Sequence, residues 1–506
     1  MTKRGFTVIS SLLLLVSANV LHGQKKAPAD LKDPVADYIL DQAHVTAILN
    51  EFSHFLAIPN VASDSENVRV NAQELVRMLE KRGLKTQLLE LRNSPPVVYA
   101  ETPAVAGRRT VTFYAHYDGQ PVQRSDWKQD PWKPLLVAHD EKGSPFDARI
   151  YARSASDDKA AIIGLLTALD ALKAAQQEPS INLKFFFEGE EEAGSPHLGE
   201  ILSKYADRLQ SDLWVICDGP TYQNGQPVLV FGSRGVVTAQ ITAFGPNRAL
   251  HSGHYGNWAP NPIVELAHLI AGMRSANGEI TIPHFYDPVR PLTQAEKNAL
   301  RNLPNLDAQL KEEFALGRRE GQGTLPEEIM KPSINLDRIE GGGSGPNPAN
   351  AIPVSATAYI DFRMVPDQTP EIVREQVENY LRQLGYFIVH QPPAPTERLE
   401  HPRLLQVTWG PGYPPQRTAI DAPVSQAFIA AQKKATGDRL LVMPTLGGST
   451  PSFLFEKQFK APVILLPIAN YDNNQHAANE NIRVEYLLDG IRIYAAIFAN
   501  LGKYWR

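Results

Sequence analysis

The chain has one cysteine, Cys217, among 506 residues, so it can close no intrachain disulfide and build no thiolate metal cluster. Any metal site must draw on His, Asp and Glu. It also lacks a marked excess of either charge: 50 Lys and Arg stand against 55 Asp and Glu, a formal net charge of −5, which gives no general attraction to nucleic acid. Internal repeats are missing, and after the first two dozen residues so is any apolar run long enough to span a bilayer. The apolar fraction of 43% is nevertheless ample for a core, and intrinsic disorder is not expected. Single cores stop growing at ~250–300 residues, so this length predicts two or three domains.

The N-terminal segment MTKRGFTVISSLLLLVSANVLHGQ places Lys3 and Arg4 before an apolar stretch that ends at Val16, followed by small or polar residues up to Gly23. That layout predicts a secretory signal over residues 1–24, removed near Gly23 or Gln24, and an exported protein, periplasmic or extracellular. The apolar core is shorter than the ~20 residues a span needs, so no membrane association is expected after removal. Removal takes away two basic and no acidic residues, leaving 48 against 55, or −7.

Beyond this leader, Val45–Ile58 and Val68–Lys81 carry apolar residues at helical spacing. Apolar strands then alternate with helices: VTFYAHYD, the helix of AIIGLLTALDALKAA, INLKFFFEG, the helix of PHLGEILSKYADRL, and LWVICDG. This alternation predicts an α/β domain with a mainly parallel central sheet flanked by helices. After Gly235 the character changes to half-exposed strands (VVTAQITAFGP, ATAYIDFRMVP, YFIVHQ), helices at Pro262–Met273 and EIVREQVENYLRQLG, and a polar, Pro-rich insertion over 282–331. An inserted α+β sandwich, or lid, fits this stretch. Pro/Gly clusters at 391–395 and 410–415 mark the way out, and GGGSG at 341–345 reads as a loop. The α/β pattern then resumes through QAFIAAQKKA, PVILLPIAN and a last helix near Val484–Leu501. The expected division is 25–235 and 416–506 for one catalytic domain and 236–415 for the lid.

Potential metal ligands stand at strand ends throughout the α/β part, where sites form in open α/β sheets. His116 ends VTFYAH, with Asp118 two residues on to bond its other ring nitrogen. Asp157 and Asp158 open a helix, where capping is the simpler reading of an isolated pair. Glu191 and Glu192 follow the apolar KFFF; successive carboxylates after a buried strand are costly unless something positive compensates them. Asp218 ends LWVICD, and His476 follows PVILLP. Together His116, Asp157, Glu192, Asp218 and His476 offer two imidazoles and three carboxylates, a set suited to two Zn²⁺ ions sharing one carboxylate.

In order and separation, AHYDGQPV, ARSASDDKA, EGEEEAGS, CDGP, ALHSGHYGN, GGSTPS and NQHAANENI resemble the dinuclear zinc exopeptidases that include carnosine and cytosolic nonspecific dipeptidases, aminoacylase, carboxypeptidase G and succinyl-diaminopimelate desuccinylase. The dipeptidase branch is the nearest, and the resemblance runs from about Val45 to the C-terminus. It implies two divalent ions, Zn²⁺ with Mn²⁺ or Co²⁺ as alternatives: His116 and Asp218 on one, Glu192 and His476 on the other, Asp157 bridging. It further implies Asp118 orienting His116, Glu191 as general base, His251 steadying the oxyanion across a homodimer formed through the lid, and Arg363, Asn350, Gly448 and Ser449 gripping the substrate carboxylate. One departure stands out, since the family usually has Gly-Arg-Gly where this chain has Ala152-Arg153-Ser154, a side chain where backbone packs closely. The triple Glu190-Glu191-Glu192 leaves a register choice, which the following Ala-Gly-Ser assigns to Glu191 as base and Glu192 as ligand.

The expected activity is hydrolysis of dipeptides or similar small peptides. The alternatives are an amidase or deacylase of N-acyl or N-carbamoyl amino acids and, from another class, a non-catalytic periplasmic peptide-binding protein. Cys217 beside Asp218 reads as a buried strand thiol rather than a nucleophile, since no Cys-His protease signature accompanies it.

Overall fold

The computed structural model describes residues 35–138, 148–342 and 350–505. The leader with its expected cleavage point, and residues 343–345 of the glycine-rich run, lie outside the described residues. The chain forms two compact units. The first holds the residues up to Phe231 with Thr418–Pro444 and Leu454–Arg506; the second holds Gly232–Arg417 with Thr445–Phe453. The short segment Thr445–Phe453, expected with the catalytic domain, thus groups with the inserted one.

The first unit is built on an eight-stranded sheet in the order Lys85–Leu89, Val97–Glu101, Asn182–Glu188, Thr110–His116, Leu213–Ile216, Val463–Leu465, Val228–Val230, Leu441–Met443. The middle four of the ligand-bearing region, from Asn182–Glu188 to Val463–Leu465, run parallel, as does the last pair. Antiparallel pairings join the strands Lys85–Leu89 and Val97–Glu101 to the rest and link Val463–Leu465 to Val228–Val230. The α/β fold expected from the sequence is present, with a mixed sheet whose parallel centre is covered on both faces. That double cover is why the central strands show apolar runs in place of alternation: Phe185, Phe186 and Phe187 are all fully buried.

Two long helices supply much of the cover. Lys159–Ala174 has 12 of its 16 residues buried, and the 21-residue Val484–Tyr504 brings Phe498 edge-on to Phe113 at 5.0 Å. On the short helix Ser452–Phe459, Phe455 and Phe459 stack on Trp214 at 4.5 and 5.3 Å. Packing of this density holds the four central parallel strands in register, and their carboxyl ends open on one edge.

The second unit has a five-stranded sheet in the order Ser333–Gly341, Ser355–Met364, Gly235–Phe244, Leu404–Tyr413, Phe387–Val389. All neighbours are antiparallel except the last pair. Its strands alternate between buried and exposed positions, and Leu266, Leu269 and Met273 of helix Pro262–Met273 join Val373, Val377 and Leu381 of helix Pro370–Gln383 in one core with the buried face. The Pro/Gly cluster read as an exit differs from the structure, because Gly410 to Tyr413 continue the strand Leu404–Tyr413. The polar insertion carries short helices at Gln294–Arg301, Asp307–Glu313 and Leu325–Ile329, the first with a Thr293–Glu296 capping box. Among the described residues no helix is long and apolar enough to cross a membrane.

Candidate active site

His116 is the last residue of its strand, and Asp118 follows in the turn. Glu191 and Glu192 sit in a single turn just after Asn182–Glu188, Asp218 lies two residues beyond Leu213–Ile216, and His476 falls in the loop after Val463–Leu465. Because these strands are parallel neighbours, four stretches far apart in sequence deliver their polar ends to one place. The loop with Asp157 and Asp158 enters from the small sheet Asn481–Arg483, Arg149–Tyr151, Leu135–Val137 and leads into helix Lys159–Ala174.

Two groups of donor atoms result, His116 with Asp158 and Asp218, and Asp157 with Glu192 and His476; within each, the atoms lie within 4.8 Å of one another. Asp157 touches both groups. Its Oδ1 is 2.8 Å from Nε2 of His116 and its Oδ2 is 3.2 Å from Nε2 of His476. Nε2 of His476 is also 3.3 Å from Oε2 of Glu192.

Asp118 does more than face His116. Its Oδ1 is 3.4 Å from Nδ1 of His116, and its two oxygens accept the backbone N–H groups of Glu191 at 3.1 Å and Glu192 at 3.0 Å. One buried carboxylate therefore orients the imidazole and holds the Glu191–Glu192 turn. Glu190 is occupied elsewhere, accepting from the N–H of His197 at 3.1 Å and meeting its Nδ1 at 3.0 Å. Glu191 and Glu192 are left facing the donor cluster.

The side chain at Ser154, the departure from Gly-Arg-Gly, is taken up locally. Ser154 adopts φ 60° and is fully buried. Asn60 Nδ2 donates to its Oγ at 2.9 Å. The space exists because residue 119 is glycine, whose missing Cβ would lie 2.3 Å from that Oγ.

The cluster carries more negative charge than its surroundings balance. Burial, with the Asp157 charge added, raises Glu192 to about 7 and Asp218 to about 6. Burial likewise lifts Glu191 and Asp158 well above the usual carboxylate range, with Asp218 adding to both. Burial disfavours the charged form of Asp157 too, but its contacts with His116 and His476 outweigh this and hold it low. Contact with Asp157 lifts His476 to about 8. Among the described residues no Lys or Arg pairs with Asp157, Asp158, Glu191, Glu192 or Asp218, so five carboxylates face two imidazoles. Oxygen and imidazole donors with this charge deficit fit divalent cations, which would offset the repulsion.

In the second unit, Arg363 donates from Nε to Oδ1 of Asp361 at 2.7 Å and from Nη1 to Oγ of Ser449 at 3.1 Å. The carbonyl of Gly448 accepts from the N–H of Arg234 at 3.1 Å. His251 is exposed at the end of a two-residue strand paired with Ala351–Ile352, and the carbonyl of Asn350 accepts from the N–H of Ser252 at 2.9 Å. The structure thus brings Arg363 to Ser449, and His251 to the backbone beside Asn350. Cys217 is buried, and burial pushes its thiol up, as a strand thiol without chemistry requires.

Sequence reading assigned no place at the metal site to three residues. Asp158, read with its neighbour as a helix cap, makes no side-chain capping bond and lies among the donors with His116 and Asp218. Gln120 donates from Nε2 to Oε2 of Glu192 at 2.7 Å. Glu480 is fully buried behind the Asp157 loop. For Glu480 the only signal was an acid four residues after His476, which nothing in the spacing separates from a solvated one.

Imidazole and carboxylate donors at the carboxyl edge of a parallel sheet, with a carboxylate to spare, define a metal-dependent hydrolase. The model of peptidase family M20/M25/M40 matches residues 112–500, and the chain belongs to that family. It is 30% identical over 485 residues to the Cys-Gly metallodipeptidase DUG1 of Candida albicans, covering 88% of this chain and 93% of that one. It is 27% identical to the human Beta-Ala-His dipeptidase, covering 98% of each chain. Among solved structures, an M20 family metallo-carboxypeptidase from Sulfolobus solfataricus superposes with TM-score 0.75 at 28% identity, covering 90% of this chain and 99% of that one. Human carnosine dipeptidase 1 superposes with TM-score 0.72 at 25% identity, covering 94% and 100%.

Proposed function

We propose that the protein is an exported zinc-dependent dipeptidase that works as a homodimer. The observation that carries the catalytic part is Asp157 turning one oxygen to each histidine, with Glu191 facing the same cluster as a spare carboxylate. His116 and Asp218 would hold one ion, Glu192 and His476 the other, with Asp157 shared. When bound, such ions supply Lewis acidity and make a nucleophile of water near neutral pH.

The chain's own groups do the rest. Burial sets the Glu191 carboxyl above its usual range, nearer the pH at which a group both takes and returns a proton, so it removes a proton from the attacking water and delivers it to the leaving amine. Asp118, through the amides of Glu191 and Glu192, keeps base and ligand at a constant offset. His251 takes the developing oxyanion charge, and Arg363 with Ser449, Gly448 and Asn350 takes the free carboxylate of a small substrate through the guanidinium fork. The relatives named above, a Cys-Gly and a Beta-Ala-His dipeptidase, support a dipeptide over an N-acyl amino acid, and a spare base has no use in a protein that only captures peptides. The leader supports export.

The test is Glu191→Gln in the mature protein, with metal content by elemental analysis and amino-acid release from dipeptides and N-acyl amino acids, with and without chelator. The variant should keep two ions per chain and lose ~10²–10⁴ of turnover. Undiminished turnover would remove Glu191 as base, and preference for the acyl substrates would replace the dipeptidase reading. An N-terminus found at Met1 in the native host would remove export, and a monomer with full turnover the dimer.

A further inference from the structure

Glu480 is the least expected group near the site. It stands one residue before the strand Asn481–Arg483, which pairs antiparallel with Arg149–Tyr151, Asn481 opposite Tyr151. The ladder carries on one step, with the N–H of Ala152 donating to the carbonyl of Glu480 at 3.1 Å. The two strands then part, one leading back to His476 and the other forward to Asp157. Into that fork the Glu480 side chain turns, fully buried.

Its carboxylate is saturated with donors. Oε2 accepts from Nη1 of Arg153 and the N–H of Ser154, both at 2.8 Å. Oε1 accepts from the N–H of Ser156 at 2.9 Å, its Oγ at 2.9 Å and the N–H of Asp157 at 3.0 Å. Four of these donors lie on three residues of one loop, ending on the amide of Asp157 itself. Four of the five, the three backbone N–H groups and the Arg153 guanidinium, can only donate, so Glu480 meets them as an acceptor, and a buried acceptor with this many donors is costly to remove.

We infer that Glu480 is a positioning residue, its buried carboxylate locking the Arg153–Asp157 loop to the His476 loop and so setting the separation of Asp157 and His476. The inference rests on the metal assignment proposed above. Glu480 touches no reacting atom. It acts through the backbone of Asp157 and through the four-residue connection to His476, in the way that groups behind metal ligands fix ligand orientation. The Ser154 amide that Glu480 holds would be there in glycine too; what serine adds is the Oγ that accepts from Asn60.

The test compares wild type, Glu480→Gln and Glu480→Asp in the full mature chain. In the glutamine variant an NH₂ group must face at least two of the five donors whichever way the amide turns. The aspartate variant keeps the charge but is one methylene too short to serve both sets. Equilibrium dialysis against graded Zn²⁺, the visible spectrum of the Co²⁺ form and thermal melting of the metal-free form are read together. The glutamine variant should keep its fold and lose about 10- to 100-fold in affinity for one of two ions, with an altered Co²⁺ spectrum. The aspartate variant should fall between, and carries the same comparison if the glutamine variant does not fold. Wild-type affinity and spectrum in both variants, or a lower metal-free melting temperature with affinity unchanged, would overturn the positioning role. Fewer than two ions bound by wild type would instead overturn the metal assignment, and this inference with it.

Discussion

Gly119→Ala should destabilise the protein, and Ser154→Gly should cancel most of the effect. A methyl group at residue 119 would lie 2.3 Å from Oγ of Ser154 and 3.1 and 3.2 Å from the amide atoms of Asn60. The first distance is impossible without movement, and the neighbours cannot move freely. Asn60 is held by its bond to the Tyr117 carbonyl at 2.7 Å, and its own carbonyl accepts the N–H of Gly119 at 3.0 Å. Overpacking of a tight interior costs about 1–3 kcal/mol, so Gly119→Ala should lose that much. Ser154→Gly alone should be close to neutral: it gives up the Asn60 hydrogen bond and the longer one that Oγ donates to the Asp118 carbonyl at 3.4 Å, together ~1–2 kcal/mol, and relieves a left-handed backbone that costs a side-chain-bearing residue ~1–2 kcal/mol. In the double variant only the contacts of 3.1 and 3.2 Å with Asn60 remain, which a few tenths of an ångström would relax. The coupling energy from urea unfolding of the four proteins should therefore be ~1–3 kcal/mol in the favourable direction. Full stability of Gly119→Ala, or the same loss in the Ser154→Gly background, would refute the view that the serine and the glycine are fitted to each other.

Gln120→Ala should weaken metal binding about tenfold, because it frees the Glu192 carboxylate to turn; competition with a chromogenic chelator reads this, and unchanged affinity would show that His476 alone holds Glu192. The metal-free protein should lose stability as pH rises. Burial lifts Glu188 to about 8, so the folded chain keeps a proton that the unfolded chain releases near the ordinary glutamate value. Its contribution is fully present below that value and is lost as pH climbs towards about 8, by at most ~1.4 kcal/mol per pH unit. Urea midpoints of the metal-free form across this range should slope downwards in wild type and less steeply in Glu188→Gln, where the other raised groups of the site still titrate, and an unchanged slope in the variant would contradict the assignment.

The division between what was legible in the chain and what was not follows from how far each determinant reaches. Alternating apolar strands and helices are local patterns, so the α/β class could be read directly, and so could the placing of His116, Glu191, Glu192, Asp218 and His476 just past apolar strands. The edge strand Lys85–Leu89 with its neighbour Val97–Glu101, and the strand that absorbs Gly410–Tyr413, were hidden because their pairing partners, not their composition, make them strands.

Sequence by itself determined which residue types stand at the strand ends, the absence of thiolate chemistry, and the excess of carboxylates after buried strands. Only the tertiary structure decided that Asn182–Glu188 and Leu213–Ile216 flank Thr110–His116, which gathers those ends, that Asp157 divides its oxygens between two histidines, and that Asp158 joins the donors of His116. It alone turned Glu480 towards the Asp157 loop and fitted Ser154 into the space left by Gly119. Each of these is a meeting between segments tens to hundreds of residues apart. Spacing along the chain carries no record of which buried acid will find which amide, and sheet order and close packing supply it.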